Sequence, residues 1–144
     1  MKKIFTLIAI TVFGFGLQAQ VGAKIEFKDK DNTIDYGTVT KDGDNGIRTF
    51  EFTNTGDAPL IIKDVKSSCG CTVPTKPTEP ILPGKTGKID VKYNMNPGPI
   101  RKTITVESNA VNYEGGMVPL KIKGTVVVPE EVNMMEKKKT LPSN

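Results

Sequence analysis

Lys88-Ile89-Asp90-Val91-Lys92-Tyr93-Asn94-Met95 decides the fold of this chain. Ile89, Val91, Tyr93 and Met95 share one parity while Lys88, Asp90, Lys92 and Asn94 share the other. That alternation describes a strand with one buried face and one wet face. Residues 118–128 repeat it, with Val118, Leu120, Ile122, Val126 and Val128 in register and Gly124 marking a bulge or a close backbone approach. In residues 48–54, Phe50 and Phe52 point inward. In residues 100–108, Ile104 and Val106 do so, and Lys102 on their parity must snorkel or lie at an edge.

Three weaker strands are predicted at residues 24–27, 34–39 and 60–66. In the last two the apolar parity slips midway, as a bulge would cause. Turn residues separate these runs: Asp44-Asn45-Gly46, Thr55-Gly56-Asp57, Pro83-Gly84, Asn96-Pro97-Gly98-Pro99 and Gly115-Gly116. About seven short strands at this spacing predict an all-β, immunoglobulin-like antiparallel sandwich of two sheets rather than a closed barrel. One domain is expected at residues 20–128, followed by a polar tail at residues 129–144 with the run Lys137 to Lys139.

Ahead of the strands, Lys2 and Lys3 precede an apolar run from Ile4 to Leu17, closed by Gln18-Ala19-Gln20. This is the pattern of a secretory signal peptide at residues 1–19, cut after Ala19. The run is shorter than the ~18 to 20 residues of a spanning helix. The mature chain is therefore expected outside the cytoplasm, in the periplasm or at the cell exterior, with no membrane span. The formal charge of the whole chain is +4, and the leader carries two of those charges away. So mild a surplus, with lysines mostly scattered singly, does not describe a nucleic-acid partner.

The chain has no histidine and no tryptophan. Without histidine it lacks the usual general base, every nucleophile arrangement built on one, and the commonest metal ligand. The carboxylates are scattered on polar parities and in turns, so no catalytic residue is assigned. Asp42-Gly43-Asp44-Asn45-Gly46 is acidic and glycine-rich but has no closing bidentate glutamate at calcium-loop spacing, and reads as a hairpin loop.

Chemistry concentrates in Ser67-Ser68-Cys69-Gly70-Cys71-Thr72, which holds both cysteines. In a regular strand the two α-carbons would lie about 6.5 to 7 Å apart, and a disulfide wants about 5.5 Å, so a bond would need a kink that Gly70 could permit. Such a pair could be redox-active, or its thiolates could hold copper(I) with Met95 or Met117 as added thioethers. Zinc would want two more ligands. Two structural readings stand beside these: small apolar filler, since Cys69 and Cys71 continue the parity of Ile61 and Val65, or a plain structural disulfide. Beyond the pair, the expected activity is non-catalytic binding, with a protein partner at a strand edge or a loop cluster.

Several blocks occur in order along the chain: residues 67–74 (Ser-Ser-Cys-Gly-Cys-Thr-Val-Pro), 80–84 (Pro-Ile-Leu-Pro-Gly), 87–93 (Gly-Lys-Ile-Asp-Val-Lys-Tyr), 102–109 (Lys-Thr-Ile-Thr-Val-Glu-Ser-Asn) and 120–124 (Leu-Lys-Ile-Lys-Gly). Together they resemble the exported bacterial family known as domain of unknown function 1573 (DUF1573), over about residues 24–128. The resemblance implies an immunoglobulin-like fold akin to the sandwich modules of motile-sperm and cilia-associated proteins, in an extracytoplasmic protein without an assigned activity. Fold alone licenses no activity.

Overall fold

The computed structural model describes residues 21–129; the expected signal peptide and nearly all of the expected tail lie outside the described residues. Eight strands follow one another: β1 (Ile25–Phe27), β2 (Thr33–Thr40), β3 (Ile47–Asn54), β4 (Ile62–Ser67), β5 (Thr72–Thr75), β6 (Thr86–Tyr93), β7 (Gly98–Ser108) and β8 (Met117–Val127). They form two four-stranded sheets, ordered β1-β3-β6-β5 and β2-β8-β7-β4. The sandwich expected from the alternation is present. It has one strand more than the seven read from the sequence, because β5 is a strand of only four residues.

The strand pairs are antiparallel as expected, with one exception. β2 runs parallel to β8, from Thr33 opposite Lys121 to Thr40 opposite Val127. Its connection onward leaves that direction open to it. The loop after β2 crosses to the other sheet, so Asp42 to Gly46 is not the hairpin expected of it. β2 pairs with no strand adjacent in sequence and takes the free side of β8 instead.

Both expected parity slips are register shifts. One lies between Asp35 and Thr38 in the β2–β8 ladder, the other between Ile62 and Asp64 in the β4–β7 ladder. The second lets Ile62 and Val65 face inward together although they stand three positions apart, an odd step that would put them on opposite faces of a regular strand. Gly124 is a close approach: a Cβ there would lie 2.8 Å from the Gly37 carbonyl oxygen of β2.

Burial follows the alternation. Ile89 and Val91 are fully buried, and Tyr93 and Met95 nearly so. They pack with Phe50 and Phe52 against Ile100, Ile104, Val106, Leu120 and Ile122 of the second sheet. Phe27 meets Phe50 edge-on at 6.3 Å and Phe52 at 5.4 Å, pairings that each add about 1 kcal/mol to the area they bury. Lys102 is half-buried and keeps the inward parity on β7, an inner strand rather than an edge, just past the Ser67–Ile104 pair at which β4 ends.

Asn54 carries the polar load of the core. It is fully buried; its amide nitrogen donates to the carbonyls of Ala58 and Ile81, both at 2.8 Å, and its Oδ1 accepts from the backbone N–H of Gly56 at 3.0 Å and of Lys24 at 3.3 Å. One side chain thus satisfies backbone groups of three separate segments at one end of the sandwich.

Candidate functional site

Cys69 and Cys71 stand at the corner where the chain leaves β4 of one sheet and enters β5 of the other. They are joined as a disulfide with α-carbons 5.4 Å apart. The segment is a turn and not a continued strand, which brings the α-carbons closer than strand spacing allows. Gly70 is not what permits it. Its φ is not in the left-handed region, and a Cβ at this position would meet nothing within 4 Å.

Hydrogen bonds hold the corner on both sides. Ser68 donates its N–H to the Thr103 carbonyl of β7 at 3.0 Å, and Asn94 after β6 donates its N–H to the Cys71 carbonyl at 3.0 Å. Both cysteines are half-buried, and Cys71 packs against the core. The Thr72 hydroxyl, at the first position of β5, lies 4.0 Å from Cys69 Sγ and 3.9 Å from Cys71 Sγ. In the sequence Thr72 belongs to the block at residues 67–74 that carries the resemblance, without a role of its own.

The two thioethers proposed beside the cysteines are placed differently. Met95 is buried, and its sulfur lies against Gly46: a Cβ on that glycine would be 3.2 Å from Sδ. Met117 is half-exposed and pairs with Glu107, four residues along β7 from Thr103. At strand rise that is about 13 Å further down the sheet. Among the described residues no group of three or more histidine, cysteine, aspartate or glutamate residues comes together.

The acidic loop after β2 is spent internally. Asp44 accepts from Arg48 through both oxygens, at 3.0 Å and 2.6 Å, and from the Gly46 N–H at 2.7 Å. These hydrogen bonds from the Arg48 guanidinium and the Gly46 amide hold its carboxyl below the usual range against the opposing cost of burial.

The outer face of the second sheet is basic. Arg101 lies directly opposite Lys123, and Thr103 opposite Lys121. Like charges across a ladder repel. The opposite case occurs on the same sheet, where Asp64 faces Glu107 and Lys66 reaches both, at 3.3 Å and 4.0 Å. For the basic group Asp35 comes within 3.5 Å of Lys123, while Arg101 and Lys121 meet no carboxylate among the described residues. Between them, with Thr33 alongside, opens a cleft of about 460 Å³ that no acidic residue lines. The alternation of Lys121 and Lys123 was visible in the sequence. The pairing with Arg101 needed the register.

Each sheet edge is unsuited to another strand. β1 has three residues and β5 four, with Pro74 offering no N–H. β2 and β4 each carry a bulge.

A family model described as "Protein of unknown function (DUF1573)" matches residues 25–126. Among solved structures, a protein of unknown function from Porphyromonas gingivalis W83 superposes with a TM-score of 0.61 at 18% identity, over 76% of this chain and 50% of that one. The secreted serine protease VesC from Vibrio cholerae gives 0.52 at 15% identity, over 79% of this chain and 26% of that one. The ASH/PapD-like domain 7 of human CEP192 gives 0.53 at 11% identity, over 73% and 86%. The chain thus spans half the length of the Porphyromonas protein. At these identities the likeness is one of fold: an immunoglobulin-like, PapD-like sandwich. No curated protein matches the chain, and no helix among the described residues is long and apolar enough to cross a membrane.

Proposed function

The chain belongs to the DUF1573 family, and from that premise we propose that it is an exported, non-catalytic binding module for an acidic protein partner. Residues 1–19 serve as the leader, residues 20–128 as the binding domain and the remainder as a polar tail. The partner meets the outer face formed by β2, β8 and β7. The observation that carries this reading is the opposition of Arg101 to Lys123 beside Lys121, over a cleft without a carboxylate. Such a cluster is destabilising in the free protein and favourable once an acidic segment covers it. The blunted edges turn the partner away from strand addition and toward a face.

Arginine suits this role because its planar fork pairs two carboxylate oxygens at once, while Lys121 and Lys123 act as point charges. The test is a titration of the mature chain with poly-glutamate at low salt, followed by amide resonances. Shifts on β7 and β8, weakened about tenfold in Arg101→Glu/Lys121→Glu with the fold intact, are expected. Shifts elsewhere, or equal binding by the double variant, would sink the proposal.

A second reading rests on the Thr72 hydroxyl beside the two sulfurs: thiol chemistry at Cys69 and Cys71. Once reduced, the pair would also offer two thiolates to copper(I). The oxidised pair offers none.

A further inference from the structure

Thr72 is 3% exposed, and the sulfurs of Cys69 and Cys71 are the only hydrogen-bond partners of its hydroxyl among the described residues. Buried hydroxyls normally find an oxygen or nitrogen partner. A disulfide sulfur is a weak acceptor, and contacts of 4.0 and 3.9 Å are at the outer limit for one. A thiolate at the same place is a strong, charged acceptor. Thr72 is therefore better matched to the reduced pair than to the bonded one.

We propose that Cys69–Cys71 is a redox-active disulfide that exchanges with thiols while the sandwich stays folded, and that Thr72 holds the thiolate this exchange releases. The direction of attack follows from packing. Cys71 lies against the core and Cys69 does not, so the incoming thiolate reaches Cys69 Sγ. The Cys69–Cys71 bond breaks as a mixed disulfide forms at Cys69. The electron pair leaves on Cys71 Sγ, where the Thr72 hydroxyl donates to it.

A second thiol of the reductant then attacks its own sulfur in the mixed disulfide. It departs as an oxidised disulfide and leaves Cys69 as a thiolate. Two electrons pass from the dithiol reductant to the protein, and the two protons shed by its thiols end on Cys69 and Cys71. The hydrogen bond from Thr72 lowers the cost of the leaving thiolate, and exchange is faster for a better leaving group.

The corner is suited to opening because the fold does not hang on it. Ser68 and Asn94 tie the chain to β7 and to the end of β6 through backbone hydrogen bonds that do not involve the sulfurs. Reduction therefore leaves β4 and β5 in their ladders. The proposal rests on the second reading of the function above and is independent of the basic face, so either can fail without the other.

The experiment is native-state reduction of the mature chain by dithiothreitol, with thiol counting and circular dichroism on the same samples. Two thiols per chain are expected with the sheet signal unchanged. Thr72→Val should slow reduction roughly three- to tenfold, the worth of one hydrogen bond, and Thr72→Ser should restore the rate. In a Cys69→Ser background, alkylation of Cys71 should need a higher pH when Thr72 is valine, a shift that lost packing alone would not produce. Thiols that appear only as the protein unfolds would overturn the proposal. So would a folded Thr72→Val chain reduced at the parent rate, or a pH profile of alkylation that ignores residue 72.

Discussion

The guanidinium carbon of Arg48 lies 4.0 Å from the centroid of the Tyr36 ring, so one cation caps an aromatic ring while its nitrogens grip Asp44. Tyr36 is buried and donates its hydroxyl to the Gly46 carbonyl at 2.8 Å. The arrangement closes one end of the sandwich, where the chain crosses from β2 to β3. It also makes that end sensitive to pH in both directions.

Burial pushes the Tyr36 hydroxyl up from 10 to about 12, with the Arg48 charge pulling the other way. A group whose folded value is raised holds its stabilising effect below the unfolded value and loses it as pH climbs to the folded one. The advantage of the parent over Tyr36→Phe should therefore be constant up to about pH 10 and shrink between there and about pH 12. Urea midpoints of the two proteins across that range are the check. A difference that stays flat would mean Tyr36 titrates as a free tyrosine.

Asp44 works in the acid limb. Its carboxyl is held below 3.8 mainly by the hydrogen bond from Arg48, so its contribution is present above that value and lost as pH falls beneath it. Asp44→Asn should cost about 1.5 to 3 kcal/mol at neutral pH, the range for hydrogen bonds to a charged group. Acid unfolding followed by dichroism should then show the two proteins converging below pH 3.8. Parallel curves would count against the assignment.

Asn54→Ala should be among the most damaging single changes. It removes four hydrogen bonds at a fully buried position, and stranded backbone groups cost about 1 to 3 kcal/mol each where water cannot reach them. A loss of more than about 3 kcal/mol in denaturant unfolding is expected. A loss under about 1 kcal/mol would show that water replaces the amide there.

Two glycines should respond oppositely to alanine. At Gly70, with no left-handed φ and open space around the missing Cβ, Gly70→Ala should leave stability within about 1 kcal/mol of the parent and keep the disulfide. At Gly46, φ is +74° and a Cβ would lie 2.2 Å from the Tyr93 carbonyl oxygen, so Gly46→Ala must displace backbone. Thermal midpoints and thiol counts of the two variants decide both. A stable Gly46→Ala chain or an opened bond in Gly70→Ala would each contradict the geometry.

The parts of this fold that were legible in the sequence are those that local alternation encodes. Ile89, Val91 and Tyr93 announce β6, and the slips near Gly37 and Lys63 announce two bulges because period-two patterning breaks there. β5 escaped notice for a physical reason: four residues including Pro74 are too few to establish a period. The parallel partnership of β2 with β8 escaped because pairing between distant strands leaves no local trace.

The same division holds for function. Two cysteines one residue apart are conspicuous in any sequence. The meaning of Thr72 depends on its being buried at a corner, and that of Arg101 on a register that sets it against Lys123.

The ladder that joins β2 to β8 has a consequence for the order of assembly. β2 is made near the start of the domain, and β8, beside which it lies, is the last of the described strands to be made. Its backbone amides stay open to solvent until synthesis of the domain is complete, and contacts of such long sequence separation close slowly. Pulse-labelling of amide hydrogens during refolding should find β2 protected no earlier than β8, so a nascent chain that ends before β8 would hold β2 without its ladder and its half of the sandwich open.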